Sequence, residues 1–141
     1  MVSAKNIVKH INQSGNILPD ANKRVKGSFS EQIAINFLSK KGYKILSRNY
    51  FQKVGEIDII ARYQNTIVFV EVKSTNNRNF LITDLLNQRK LFRLNKVINI
   101  WLYKNHLLNS AFRLDFIGIQ YDNYKLKSVK HFENIQISLG R

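Results

Sequence analysis

The run Ile67-Val68-Phe69-Val70-Glu71-Val72-Lys73 constrains the fold more than any other part of the chain. Side chains alternate along a strand, so Val68, Val70 and Val72 share one face while Phe69, Glu71 and Lys73 share the other. A strand this apolar belongs in a core. A carboxylate there is costly unless it is paired, metal-bound or open to water. Upstream, Gly55-Glu56-Ile57-Asp58-Ile59-Ile60 repeats the arrangement, with acids on one face and Ile57 and Ile59 on the other.

The two runs are joined by Tyr63-Gln64-Asn65-Thr66, short and polar enough for a hairpin. If the loop is even and centred on Gln64-Asn65, Asp58 falls opposite Glu71 and Glu56 opposite Lys73. An odd loop or a bulge would break that register. Glu56–Lys73 is then an ordinary cross-strand ion pair. Asp58–Glu71 is not, because like charges with Cβ atoms roughly 5 Å apart repel. Protonation of one acid, or a cation between the two, relieves the repulsion. A hard divalent ion such as Mg²⁺ (or Mn²⁺) suits two carboxylates best. Such a site fits phosphodiester hydrolysis, in which a metal polarises the phosphate and acidifies its bound water. Lys73 would orient that water or stabilise the developing charge. The competing reading is a solvated sheet face with no chemistry.

At 141 residues the chain is long enough for one domain with a real core. Residues 1–22, which include the only proline, Pro19, read as a basic, loose N-terminal extension, and 23–141 as a single domain. The absence of cysteine excludes disulfides, thiolate nucleophiles and cysteine-based zinc sites. No apolar run is long enough to span a membrane, and the N-terminus lacks a secretory h-region, so a cytoplasmic protein is expected. Lys and Arg number 23 against 9 acids, a net charge of +14. Such a field attracts polyanions, nucleic acid above all, with a compositionally skewed genome as the plainer explanation of the lysines.

Apolar periodicity predicts a helix over Ser28–Lys41, with Ile33, Ala34, Phe37 and Leu38 as its buried stripe and Gly42 as its stop. Strands follow at Tyr43–Phe51, Glu56–Arg62 and Ile67–Ser74. A long helix from about Asp84 to Asn105 comes next, with Leu91, Leu94, Ile98 and Trp101 on one side. A strand at Ala111–Gln120 and one or two more through Tyr124–Ile137 complete the chain. The order argues an α/β or α+β domain with a mixed sheet.

Gly55-Glu56-Ile57-Asp58-Ile59-Ile60-Ala61-Arg62 and Val68-Phe69-Val70-Glu71-Val72-Lys73 resemble the YraN family of small bacterial proteins, assigned to the PD-(D/E)XK nuclease superfamily. The resemblance extends over Gly27, Glu31, Gly42-Tyr43 and Arg48-Asn49, and resumes at Lys90, Arg93-Leu94, Trp101-Leu102 and Phe112–Ile117. It implies a restriction-endonuclease-like αβββαβ core similar to that of archaeal Holliday-junction resolvases. It implies Asp58 and Glu71 as metal ligands, Lys73 as the catalytic lysine, Glu31 as an auxiliary ligand and Glu56 as a supporting residue behind the ligands. From the sequence itself, Glu31 reads equally well as position N3 of a capping box begun by Ser28. Resolvases of this fold act as dimers, so a homodimer is a further expectation. Phe51 stands where the family often has a basic residue, and Thr75 where an arginine is common. Asp115 is marked by the resemblance, yet no chemistry suggests itself for it.

Lys90, Arg93 and Lys96 align on one flank of the long helix, and Arg24, Lys26 and Arg48 would extend the same surface toward DNA phosphates. A solvated helix face explains the lysines as well. Tyr50 and Phe51 are expected to pack in the core rather than stack on bases. The sequence thus favours a nucleic-acid-binding, Mg²⁺-dependent nuclease acting on DNA, branched or single-stranded. The alternatives are a non-catalytic DNA- or RNA-binding adaptor of the same fold and, more distantly, a basic RNA-associated structural protein.

Overall fold

A computed structural model describes residues 23–76, 86–123 and 125–136, with side chains from Phe29 onward. The elements run α1 (Lys23–Lys40), β1 (Lys44–Gln52), β2 (Gly55–Tyr63), β3 (Thr66–Thr75), α2 (Gln88–Lys104), β4 (Phe112–Asp122) and β5 (Lys125–Phe132). The expected N-terminal extension, residues 1–22, lies outside the described residues.

The five strands form one sheet in the order β1-β2-β3-β4-β5. Neighbours are antiparallel except β3 and β4, which are parallel and connected through α2. A parallel pair needs such a crossover, whereas antiparallel strands need only tight turns. The αβββαβ core is restriction-endonuclease-like, with β5 added at one edge.

One helix covers each face of the sheet. Ala34 and Leu38 of α1 pack with Ile59, Ala61, Val68, Val70, Ile117 and Ile119. Leu91, Leu94, Val97, Ile98 and Trp101 of α2 pack with Ile57, Ile60, Ile67, Phe69 and Leu114. Strands buried on both faces read as continuous apolar runs, and this is why Ile67-Val68-Phe69-Val70 of β3 is unbroken by a polar residue. At the end of α1, Gly42 takes φ +93°, a left-handed cap that glycine adopts without strain.

Two element boundaries differ from the sequence expectation. The first helix starts at Lys23, so Ser28 is inside it and Glu31 is in mid-helix. Glu31 is therefore no capping residue; the polar Ser28-Phe29-Ser30-Glu31 sequence imitates a start signal within a continuing helix. The long helix begins at Gln88 rather than near Asp84, because the Asn87 side chain accepts a hydrogen bond from the Lys90 N–H and closes the first turn. Asp84 lies outside the described residues.

Candidate carboxylate site

The β2–β3 hairpin has the even loop that sets the site. Tyr63 pairs with Thr66, Gln64 takes φ +54° in the turn, and pairing continues regularly to Ile59–Val70. The next opposed residues are Asp58 and Glu71. There the two backbones cease to pair, and the carboxylates enter the gap. The Asp58 N–H donates to Glu71 Oε1 at 3.4 Å, and the Val72 N–H donates to Asp58 Oδ2 at 2.8 Å. Each acid thus takes a backbone donor that a regular ladder would have given to a carbonyl.

This opening also breaks the alternation of β2. Ile57 and Ile59, expected on one face, belong to different cores, Ile57 against α2 and Ile59 against α1. The neighbouring strand turns over at the same level. Arg48 pairs with Ile59 and Tyr50 with Ile57, while Asn49 between them has φ +51°. Tyr50 accordingly packs on the α2 side as expected, but its neighbour Phe51 does not join a core and is 70% exposed.

Electrostatics sets the site apart. Burial pushes Glu71 above the ordinary carboxylate range, and repulsion from Asp58 pushes it further. Burial also raises Asp58, with Glu56 adding to the rise and the Val72 N–H, Lys90 and Lys73 opposing it. The third acid, Glu31, reaches the site from α1. Burial and then Asp58 push it up to about 7, against a hydrogen bond from Asn49 and the charge of Arg48. Facing carboxylates that both resist ionisation hold a proton between them or attract a cation.

A cation is already present in the side chain of Lys90. Its Nζ lies 3.3 Å from Glu71 Oε2, an ion pair between the first turn of α2 and the middle of β3. Sequence reasoning placed Lys90 on a phosphate-binding flank and missed this contact. Its one available signal was position, since the crossover from β3 returns the first turn of α2 to the sheet. Lys73 is exposed, near enough to Asp58 to favour its ionised form. The expected Glu56–Lys73 ion pair does not form among the described residues, because β2 has turned over before Glu56.

The other expected residues divide. Arg93 and Lys96 are exposed on α2, the ammonium of Lys96 resting 4.5 Å from the centre of the Phe92 ring. Gly55, in the β1–β2 turn region, lies against Val97 and the Arg93 stem. Arg48 is exposed on β1 and faces Glu31 electrostatically. The side chains of Arg24 and Lys26 lie outside the described residues. Two hard carboxylates in opposition, Glu71 buried and Asp58 half-buried, fit a divalent cation by the chemistry of their donors. Asp58, Glu71 and Glu31 do not converge into a closed cage, and among the described residues no three His, Cys, Asp or Glu side chains do.

A mixed sheet with a helix on each face and paired acids at the divergence of the β2–β3 hairpin define the class of chain in hand. Residues 30–119 match the uncharacterised protein family UPF0102, the YraN family, and the chain belongs to it. A UPF0102 protein of Caldanaerobacter subterraneus is 40% identical over 116 residues, covering 80% of this chain and 95% of that protein. One from Clostridioides difficile is 40% identical over 115 residues, 80% of this chain and 97% of the relative. Among solved structures, Pyrococcus furiosus SfsA in complex with Ca²⁺ is similar with a TM-score of 0.38 and 14% identity. The match covers 89% of this chain and 68% of that one, too weak to carry an argument. Among the described residues, no helix is long and apolar enough to cross a membrane.

Proposed function

We propose that this protein is a metal-dependent phosphodiesterase acting on DNA. The observation that carries the reading is the facing Asp58–Glu71 pair, whose burial and mutual repulsion leave it short of positive charge. Asp58 and Glu71 would hold a Mg²⁺ or Mn²⁺ ion, with Glu31 reaching it through a water. When bound, the ion supplies Lewis acidity to the phosphate and a more acidic water. The chain's own groups do the rest. Lys73, exposed and near enough for its charge to favour ionised Asp58, would stabilise negative charge developing on a phosphate oxygen. Glu31, on α1, would orient that water from the side of the first helix. Arg48, Arg93 and Lys96 would hold the backbone through sequence-independent, salt-sensitive contacts, and the net charge of +14 would steer association.

The test is cleavage of labelled duplex, single-stranded and branched DNA with Mg²⁺ or Mn²⁺. Wild type should cut, and Glu71→Ala and Lys73→Ala should each lower the rate by at least about a hundredfold. Equal rates in all three would sink the enzymatic reading. A non-catalytic adaptor is favoured by one observation, the Lys90–Glu71 ion pair, which already neutralises one acid. That reading predicts gel shifts that do not depend on divalent ions, and no cleavage.

A further inference from the structure

We propose that Lys90 is a tethered counter-cation of the carboxylate pair, competing with the divalent ion for Glu71. The inference rests on the metal-dependent reading and assigns Lys90 a role other than contact along a DNA-binding flank.

Three observations carry it. Lys90 Nζ lies 3.3 Å from Glu71 Oε2, while Oε1 of the same carboxylate accepts the Asp58 N–H. The ammonium therefore holds the oxygen left over once the backbone is satisfied, and a bound ion would need that same oxygen. Second, Glu71 is buried, whereas the Lys90 side chain is 30% exposed. The acid is fixed, and the lysine is the partner that can withdraw to solvent. Third, among the described residues the only ion pair of Lys90 is with Glu71, and the other acid its charge reaches is Asp58 of the same pair. Its backbone N–H is meanwhile engaged by Asn87, so the helix start keeps its cap when the side chain moves. An ammonium leaving Glu71 from this place would be free to meet a phosphate oxygen. Metal entry and substrate grip would thus be linked through one side chain.

The competition is measured by titrating Mg²⁺ calorimetrically into wild type, Lys90→Met, Lys90→Gln and Lys90→Arg. The titration is done at about pH 9, above the value of about 8 to which burial pushes Glu71, so that protons do not compete. Lys90→Met and Lys90→Gln should bind Mg²⁺ about tenfold more tightly than wild type, an ordinary size for coupling between two sites. Lys90→Arg, which keeps the charge, should stay close to wild type. Wild type that binds Mg²⁺ together with a folded Lys90→Met or Lys90→Gln of equal or weaker affinity would overturn the inference and leave the metal-dependent reading standing. No binding by any of the four would overturn both.

Discussion

Two buried carboxylate regions of this protein have opposite electrostatics. Asp115, on β4, is fully buried, yet its partners hold it below the ordinary carboxylate value. Burial alone pushes it up, but bonds from His131, the Asn134 N–H and Arg113 outweigh that effect. His131 Nε2 lies 2.8 Å from Oδ2, Arg113 Nε 3.0 Å from Oδ1, and the Asn134 N–H donates to Oδ1 at 2.9 Å. The network closes on itself. Lys41 donates to His131 Nδ1 at 2.8 Å, which leaves the ring proton on Nε2, aimed at Asp115. Arg113 also donates to the Tyr43 hydroxyl at 2.6 Å. At half-buried Asp58 and buried Glu71 the same chemical group has one backbone donor apiece, and one lysine pairs with Glu71. The comparison separates a carboxylate whose network ties β5 to the turn between α1 and β1 from a pair with far fewer donors. Unsatisfied buried charge marks function more reliably than buried charge alone.

The largest effect that would break this contrast is on stability. Asp115→Ala leaves Arg113 and His131 without their anion and should destabilise the fold by about 3–5 kcal/mol in urea unfolding. Asp58→Asn removes a repulsion, and should leave the metal-free protein as stable as wild type or up to about 2 kcal/mol more stable. A loss at Asp58→Asn comparable to that at Asp115→Ala would erase the distinction.

The pH dependence sharpens the contrast, because the two regions have opposite signs. Asp58, Glu71 and Glu31 have raised values, so their folded forms bind protons more tightly than the unfolded chain does. Their contribution is fully present below the ordinary carboxylate range and is lost as pH rises; for Glu31 the loss runs from 4.5 to about 7. Asp115 is lowered, so its contribution is present above 3.8 and is lost as acid protonates it. Metal-free wild type should therefore lose stability between about pH 4.5 and 8, as Glu31 and Glu71 ionise. Glu31→Gln combined with Asp58→Asn and Glu71→Gln should flatten that slope while leaving the acid limb intact.

The smallest expected effect is at Phe51. Its ring is 70% exposed, so Phe51→Ala should change stability by no more than about 0.5 kcal/mol. Phe51 lies directly opposite Glu56, whose charge is felt at both Asp58 and Glu31. If the protein acts on single-stranded DNA as proposed, an exposed ring so close to the acids would stack on an unpaired base. The same variant should weaken single-stranded DNA binding by about 1–3 kcal/mol and duplex binding much less. Equal losses on both substrates would assign Phe51 no base contact.

The hairpin was legible in the sequence because a two-residue turn fixes register, and register put Asp58 across from Glu71 without any long-range information. What lay beyond the turn was less legible. The switch of faces at Asp58 and Asn49 depends on carboxylates displacing a backbone ladder, which no alternation pattern encodes. Lys90 meets Glu71 only because α2 returns over the sheet. Asp115 had no chemistry to offer from sequence because His131 reaches it from β5, and Tyr43 reaches its partner Arg113 from the turn before β1. Arg113, two residues away on the same face of β4, was the one local clue. Glu31 in mid-helix corrects a local signal that tertiary packing overrode.

Thermal unfolding with and without Mn²⁺ tests the central claim most directly, since an ion that binds only the folded state raises the unfolding temperature by mass action. Wild type should be stabilised by millimolar Mn²⁺, Asp58→Asn should not, and a folded Asp115→Asn should respond as wild type does. An equal shift in wild type and Asp58→Asn, or none in wild type, would contradict the assignment of Asp58 and Glu71 as a cation-binding pair.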